Sequence, residues 1–428
     1  MPVVDSLYRQ AAATSADTTS IASLSWRELF TDPKLQALIE TGLQNNTDLN
    51  IARLKVTEAE ATLMTSRLAY LPSISFEPSG TLRSVDGNAM TKSYDIAASA
   101  SWEVDIFGKL TNAKRGAKAA LEQSEAYRQA VQTQLIATIA NSYYSLLMLD
   151  AQLDISERTA ANWGENVRAM KALKAAGDAT ELAVAQSEAS KLSVDASIAS
   201  LRQQIDQMEN TLTALLGIAP QKIDRTTIGE QRFPTELAAG VPLQLLQRRP
   251  DVRQSEAALA QAFYATNAAR AAFYPSITLS GSAGWTNAAG AAITNPGQWL
   301  FTAVGSLVQP LFNRGRNIAN LRIAKAQQEE ALLSFRQSLL DAGTDVNNAL
   351  IQWQTARQRQ QIDQQQILSL ESTVRSSELL MQYSSQNYLE VLTARQTLLQ
   401  AELTAVSDRF DEIQGVINLY HALGGGAE

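Results

Sequence analysis

The sequence predicts a mainly α-helical protein with a membrane β-barrel part, the barrel strands coming from more than one copy of the chain. Three observations predict this: the chain repeats itself at about half its length, each half holds a very long heptad pattern, and each half holds segments that alternate between apolar and polar residues. The repeat is read first. Pro72-Ser73-Ile74-Ser75-Phe76 returns as Pro275-Ser276-Ile277-Thr278-Leu279, and Asp105-Ile106-Phe107-Gly108-Lys109 is echoed by Pro310-Leu311-Phe312-Asn313-Arg314. Asn141-Ser142-Tyr143-Tyr144 is echoed more faintly by Asn347-Asn348-Ala349-Leu350. Offsets of about 203 to about 206 residues make this one long unit used twice, not a solenoid of short repeats. Each half then reads as a helix, two strands and a long helical hairpin.

The strands come from period-two alternation. Tyr94, Ile96, Ala98, Ala100, Trp102, Val104 and Ile106 fall on one face, with Asp95, Ala97, Ser99, Ser101, Glu103 and Asp105 on the other. That length crosses an apolar band of about 25 Å when tilted. Ser73, Ser75 and Glu77 oppose Ile74 and Phe76 in the preceding strand. In the second half Ile277, Leu279, Ala283 and Trp285 alternate with Ser276, Thr278, Ser280 and Ser282. Trp299, Phe301, Ala303 and Leu307 share a face of the last strand, whose other face (Leu300, Val304, Val308) is less polar. Asp86-Gly87-Asn88 and Asn295-Pro296-Gly297 are turn signals between the paired strands. Alternation alone also fits two half-buried hairpins on a soluble core. In lipid, however, two strand pairs leave open edges, and three copies would supply twelve strands.

The helices follow from the heptads. Leu332, Phe335, Leu339, Ala342, Val346, Ala349, Trp353 and Ala356 keep 3-4 spacing; the pattern lapses at Gln360 and Asp363 and returns in register at Ile367, Leu370 and Val374. A helix from about Arg314 to Tyr383 would be about 100 Å long, and its counterpart runs from about Lys109 to Ala176. Gly177-Asp178-Ala179-Thr180 turns the first hairpin and Ser384-Ser385-Gln386-Asn387 the second. Helices of this length need neighbours along their whole extent, so a self-associating assembly is expected.

Composition narrows the function. The 428 residues are 45 % hydrophobic and 18 % charged with net charge −7, which fits neither a disordered acidic chain nor a basic nucleic-acid binder. No run approaches the 18 apolar residues of a transmembrane helix, whereas a β-barrel leaves no such peak. With no cysteine and one histidine, His421, the chain has no thiol nucleophile, disulfide or Cys/His zinc site. No catalytic residue, cofactor or metal is expected. The chain opens Met1-Pro2-Val3-Val4 without a visible signal peptide, which suits either a protein that stays inside or a processed form behind a start Met.

Leu245-Leu246-Gln247-Arg248-Arg249-Pro250-Asp251-Val252-Arg253, followed by Ser255-Glu256-Ala257-Ala258-Leu259, resembles the signature segment of outer-membrane efflux factors. These are TolC-like channels of the kind that serve resistance-nodulation-division pumps. Ala272-Phe273-Tyr274-Pro275-Ser276-Ile277, Pro310 to Arg316 and Asn387-Tyr388-Leu389-Glu390-Val391-Leu392-Thr393-Ala394 resemble motifs of the same family, in its order, from Trp26 onward. The resemblance implies a homotrimer in the outer membrane that extends into the periplasm. A 12-stranded β-barrel, four strands per chain, would be continued by a long α-helical barrel girdled by a mixed equatorial region. The implied divisions are 1–46 (N-terminal equatorial segment), 47–71 (helix), 72–107 (first β-hairpin), 108–218 (first long helical hairpin) and 219–249 (equatorial linker). The second half follows with 250–274 (helix), 275–312 (second β-hairpin), 313–423 (second long helical hairpin) and 424–428 (tail). The implied partners are a periplasmic adaptor, an inner-membrane efflux pump and outer-membrane lipid, with no nucleic acid. Relatives often begin at a lipidated cysteine; none stands here, so an anchor is expected to be absent or removed with a signal segment.

By the same resemblance, carboxylates at the hairpin tips narrow the periplasmic end. Glu390 matches one such acid, Thr393 stands where many relatives carry another, and Ala183 replaces an acid on the first hairpin, with Asp178 and Glu181 nearby. Gly177, Ser384, Ser385 and Asn387 are candidates for adaptor contact, Ser384 occupying a position usually held by glycine. Tyr94, Trp102, Trp285 and Trp299 are candidates for an interfacial aromatic belt, with core packing as the plainer reading. Arg249 and Pro250 read as structural, Pro250 opening a helix whose first turn holds Asp251. Two further functions stay open: a soluble coiled-coil scaffold without a pore, and an export duct for a protein secretion system.

Overall fold

The computed structural model describes residues 21, 24–84, 86, 90–233, 249–287, 298–383 and 388–427. Ser384, Ser385 and Asn387, the turn residues Gly87-Asn88 and Asn295-Pro296-Gly297, and Leu245 to Arg248 of the signature segment lie outside the described residues. The first half runs α1 (Trp26–Leu29), α2 (Pro33–Asn45), α3 (Thr47–Leu68), β1 (Ser73–Phe76), β2 (Ser79–Arg83), β3 (Thr91–Val104), α4 (Lys109–Ala176) and α5 (Glu181–Leu215). After a short 3₁₀ turn, Ile228–Glu230, the second half runs α6 (Pro250–Ala271), β4 (Ser276–Thr286), β5 (Gln298–Val308), α7 (Arg316–Tyr383) and α8 (Tyr388–Ala422). The duplication is visible residue for residue. α3 and α6 have 22 residues each, α4 and α7 have 68, and α5 and α8 have 35. The long helices start 207 residues apart, Lys109 against Arg316 and Glu181 against Tyr388.

The chain folds as two compact units. One comprises the described residues up to Ala52, Arg128–Val252 and Leu339 onward. Its short helices are set by side-chain caps. Ser25 and Glu28 form a capping box on α1, and Asp32 caps α2, with Pro33 in the first turn. Leu29, Phe30, Leu35 and Ile39 pack with Ile139, Tyr143 and Leu146 of α4, Leu212 of α5, and Ile413, Val416 and Ile417 of α8. A second cluster, nearer the hairpin turns, holds Trp163, Met170, Ala183, Val184, Val194, Tyr388 and Leu392. The α4–α5 turn is a Schellman-type ending: Gly177, at φ +89°, donates to the Lys174 carbonyl and Asp178 to that of Leu173.

The other unit, Arg53–Tyr127 and Arg253–Ser338, contains the sheet. The order is β1 and β2 on one edge, then β3, β4 and β5, all antiparallel. The strands are not two separate hairpins, because β3 of the first half pairs with β4 of the second from Asp95↔Thr286 to Val104↔Ile277. The first strand is broken in two although its register with β3 is continuous, Ser73↔Ser101 to Phe76↔Ala98 and Ser79↔Asp95 to Arg83↔Thr91. Pro78 explains the break. It has no N–H to give to the ladder, and an edge strand tolerates that loss. Among the described residues no helix is long and apolar enough to cross a membrane.

Candidate functional site

The sheet sorts its side chains into two chemistries. Register puts Ile74 and Phe76 beside Ala100 and Ala98; Ile96, Trp102 and Val104 beside Trp285, Leu279 and Ile277; and Trp285, Ala283 and Ile277 beside Trp299, Phe301 and Leu307. These form one uninterrupted apolar face over four strand paths. It is open: Ile74 is 77 % and Trp299 80 % exposed. The opposite face carries Ser73, Ser75, Ser99, Ser101, Ser280, Ser282, Thr302 and Ser306, with Ser75 and Ser99 hydroxyls 2.7 Å apart, and is interrupted on β5 by Leu300, Val304 and Val308. A soluble sheet buries its apolar face and wets its polar one; an apolar face left open over this area is suited to lipid.

The four aromatic candidates divide between the two ends of the strands. Trp285 and Trp299 meet edge to face at 5.7 Å, toward the end where β3 begins and Tyr94 lies. Trp102 lies eight residues further along β3, about 26 Å away at the rise of an extended strand. Its indole N–H donates to the Tyr70 carbonyl at 3.0 Å. Phe107 and Tyr274, stacked at 4.9 Å, follow and precede the strands at that same end. That stack was not foreseen, because its members belong to different halves and to no alternating segment.

At the hairpin turns, the acids are placed differently from one another. Glu181 opens α5 and pairs with Lys174 across the turn of its own hairpin. Asp178 is exposed and lines a groove of about 320 Å³ with Leu173, Thr180, Gln186, Tyr388 and Leu389. Glu390 and Thr393 lie one turn apart on the exposed face of α8, and the Thr393 hydroxyl donates to its own helix at Leu389. Ala183 is buried in the cluster around Trp163 and Met170. Gly177 is exposed at the turn.

Two contacts that no motif announced hold the helices together here, the first between the hairpins and the second within the second hairpin. Burial pushes the Tyr388 hydroxyl up, so it remains a donor; it lies 2.8 Å from Ser187 Oγ, which donates in turn to Asn166 Oδ1 at 3.1 Å. Arg395 of α8 grips Glu378 of α7 with Nε at 3.1 Å and a terminal nitrogen at 2.5 Å. Tyr388 belongs to the segment that carries the resemblance, but nothing local marks Ser187 as its partner.

Arg249 explains the signature segment structurally. The residue is 5 % exposed, and its guanidinium donates to Asp251 (3.0 and 2.6 Å), Asp345 (2.9 Å) and the carbonyls of Ala422 (2.9 Å) and Ala342 (3.4 Å). It thereby ties the start of α6 and the last turn of α8 to α7. His421 beside it is held below its usual pKa by burial and by Arg249, so it is neutral at pH 7. Asp32 anchors the short helices in the same manner. Burial raises its pKa, but donors from Thr226, Tyr143, Lys34 N–H and Gln231 outweigh that and hold it low.

Comparison with known proteins is consistent along the whole chain. Residues 38–218 and 241–425 match the model of the outer membrane efflux protein family. The chain is 31 % identical over 431 residues to the cation efflux system protein CusC of Escherichia coli, covering 100 % of this chain and 94 % of CusC. It is 30 % identical over 423 residues to the toluene efflux pump outer membrane protein TtgC of Pseudomonas putida, covering 96 % and 87 %. Its fold is similar to the open state of the Neisseria gonorrhoeae MtrE outer membrane channel, with TM-score 0.89, 29 % identity, and 97 % and 94 % of the two chains covered.

Proposed function

The chain belongs to the outer membrane efflux protein family, and on that footing we propose that it is the exit channel of a tripartite efflux system for drugs or other toxic compounds. Like its family it is a channel and not an enzyme, placed in the outer membrane and reaching into the periplasm. The observation that carries the reading is the sheet, apolar and open on one face, lined mainly by serine and threonine on the other except along β5, with both edge strands unpaired among the described residues. Backbone groups at such edges cannot stay unpaired in lipid, so three copies close a barrel of twelve strand paths with the hydroxyl face toward water. Tyr94, Trp285 and Trp299 sit at one membrane interface and Trp102 at the other.

The long helices continue the duct into the periplasm. A periplasmic adaptor meets the turns at Gly177, Ser384, Ser385 and Asn387, and an inner-membrane pump supplies both energy and most of the selectivity. Three copies of Glu390 narrow the resting tip with repelling charge that favours cations, Thr393 leaving the next ring uncharged. Asp178 adds charge at the groove mouth, while Glu181 is neutralised by Lys174.

The test is single-channel conductance of the purified protein in a planar lipid bilayer, run beside a variant with loosened tips, Tyr388→Phe with Arg395→Ala. Small discrete steps in the parent and larger ones in the variant are expected. Silence in both would overturn the duct and favour a scaffold without a pore.

A further inference from the structure

The inward stripe of α7 runs through Ala342, Val346, Ala349 and Ala356 into a charged residue, Asp363, which is 8 % exposed. Asp408 of α8, 1 % exposed, faces it with its carboxyl within hydrogen-bond reach. Asp363 Oδ2 and both Asp408 carboxyl oxygens have no donor aligned on them. Arg359, half exposed, approaches Asp408 Oδ1 at 2.5 Å without hydrogen-bond alignment and is shared with Asp411 at 3.8 Å. Other donors nearby are committed elsewhere. Gln360 donates to the Asp408 carbonyl and to Glu412, Arg409 is turned to Glu412 and the Gln231 carbonyl, and the uncharged Gln152 of α4 donates to Ser407. Arg359 is thus divided between Asp408 and Asp411, and no ion pair among the described residues reaches Asp363.

We propose that Asp363 and Asp408 hold one proton between them, a proton-binding site inside the second hairpin, and that losing it lets this stretch of α7 and α8 open more readily. Two carboxylates in contact in a dry seam cannot both ionise cheaply, and a shared proton is the donor their orphan oxygens lack. Burial first, and the Asp363 carboxyl second, push Asp408 up to about 6 from its ordinary 3.8. The sign follows. The folded hairpin binds the proton more tightly than the unfolded chain, so stability is full in acid, falls as pH rises from about 4 through about 6, and is level above.

Amide hydrogen exchange of the full-length protein in detergent tests this, after correction for intrinsic exchange. Peptides covering 355–370 and 400–415 should open about tenfold more often at pH 7.5 than at pH 5, one pH unit below the shared midpoint being a factor of ten. The equivalent peptides of the first hairpin should not change. Asp408→Asn should abolish the pH dependence and keep the acid-like protection at pH 7.5. Should that variant not fold, Asp363→Asn carries the test with the same expectation. Infrared spectroscopy should show a protonated carboxyl lost with a midpoint near 6 in the parent and missing from both variants. Exchange that is flat with pH in the parent, or equally pH-dependent in Asp408→Asn, overturns the proposal. Neither readout depends on conductance, so it stands or falls apart from the channel reading.

Discussion

The two helical hairpins share their lengths and differ in their interiors. At the 207-residue spacing, Leu153 corresponds to Gln360, Ser156 to Asp363, Leu201 to Asp408 and Ile205 to Glu412. The first hairpin fills these places with aliphatic groups, and Ser156 satisfies its hydroxyl on its own helix at the Gln152 carbonyl. The second fills them with amides and charges. Gln352 bonds Gln414 and Asn418, Gln360 bonds Glu412, and Arg359 reaches Asp408. At these positions the first seam is held by removal of apolar surface from water, the second by hydrogen bonds and ion pairs. The two copies keep the same helix lengths and differ in what fills the seam at these positions.

This contrast can be broken most directly by Ile205→Glu, which gives the first hairpin the acid found at the corresponding place in the second. An uncompensated buried charge should remove about 3–5 kcal/mol, read as a lowered thermal unfolding midpoint by circular dichroism. A loss under about 1 kcal/mol would mean that the first seam tolerates charge as well as the second. A smaller effect is expected at Gly415, where α8 approaches α7 so closely that an added Cβ would lie 2.9 Å from the Trp353 backbone and Cβ. Gly415→Ala should destabilise by about 1–3 kcal/mol through overpacking, against the gain of about 1 kcal/mol that alanine normally brings to a helix. A variant more stable than the parent would show that the polar seam yields even at its tightest point. The smallest stability change belongs to Glu390→Gln, under about 1 kcal/mol because the carboxylate is exposed in the first turn of α8. Its expected effect is functional, a higher resting leak with weaker cation preference in a planar bilayer. An unchanged leak and unchanged ion preference would take Glu390 out of the gate.

Features that repeat along the chain were legible without coordinates. The apolar and serine faces of the sheet recur every second residue, the long helices recur every third and fourth, and Gly177 marks its own turn by needing a positive φ. The resemblance at Asn387 to Ala394 likewise pointed to the tip through a contiguous run of residues. Even the lapse in the heptad at Gln360 and Asp363 was visible, but nothing in it marked Asp363 as half of a buried pair.

What only the tertiary structure decided are the partnerships between distant residues. Nothing near Asp363 announces Asp408, nothing near Tyr388 announces Ser187, and the carbonyls of Ala342 and Ala422 that hold Arg249 have no sequence character at all. The pairing of β3 with β4 across the duplication, and the sorting of the aromatics to opposite ends of the sheet, follow from that same long-range docking. Periodicity is written by the geometry of one element and leaves its trace in every residue. A hydrogen bond or ion pair across 20 to 200 residues is chosen by how elements pack, and leaves no repeating mark by which to find it.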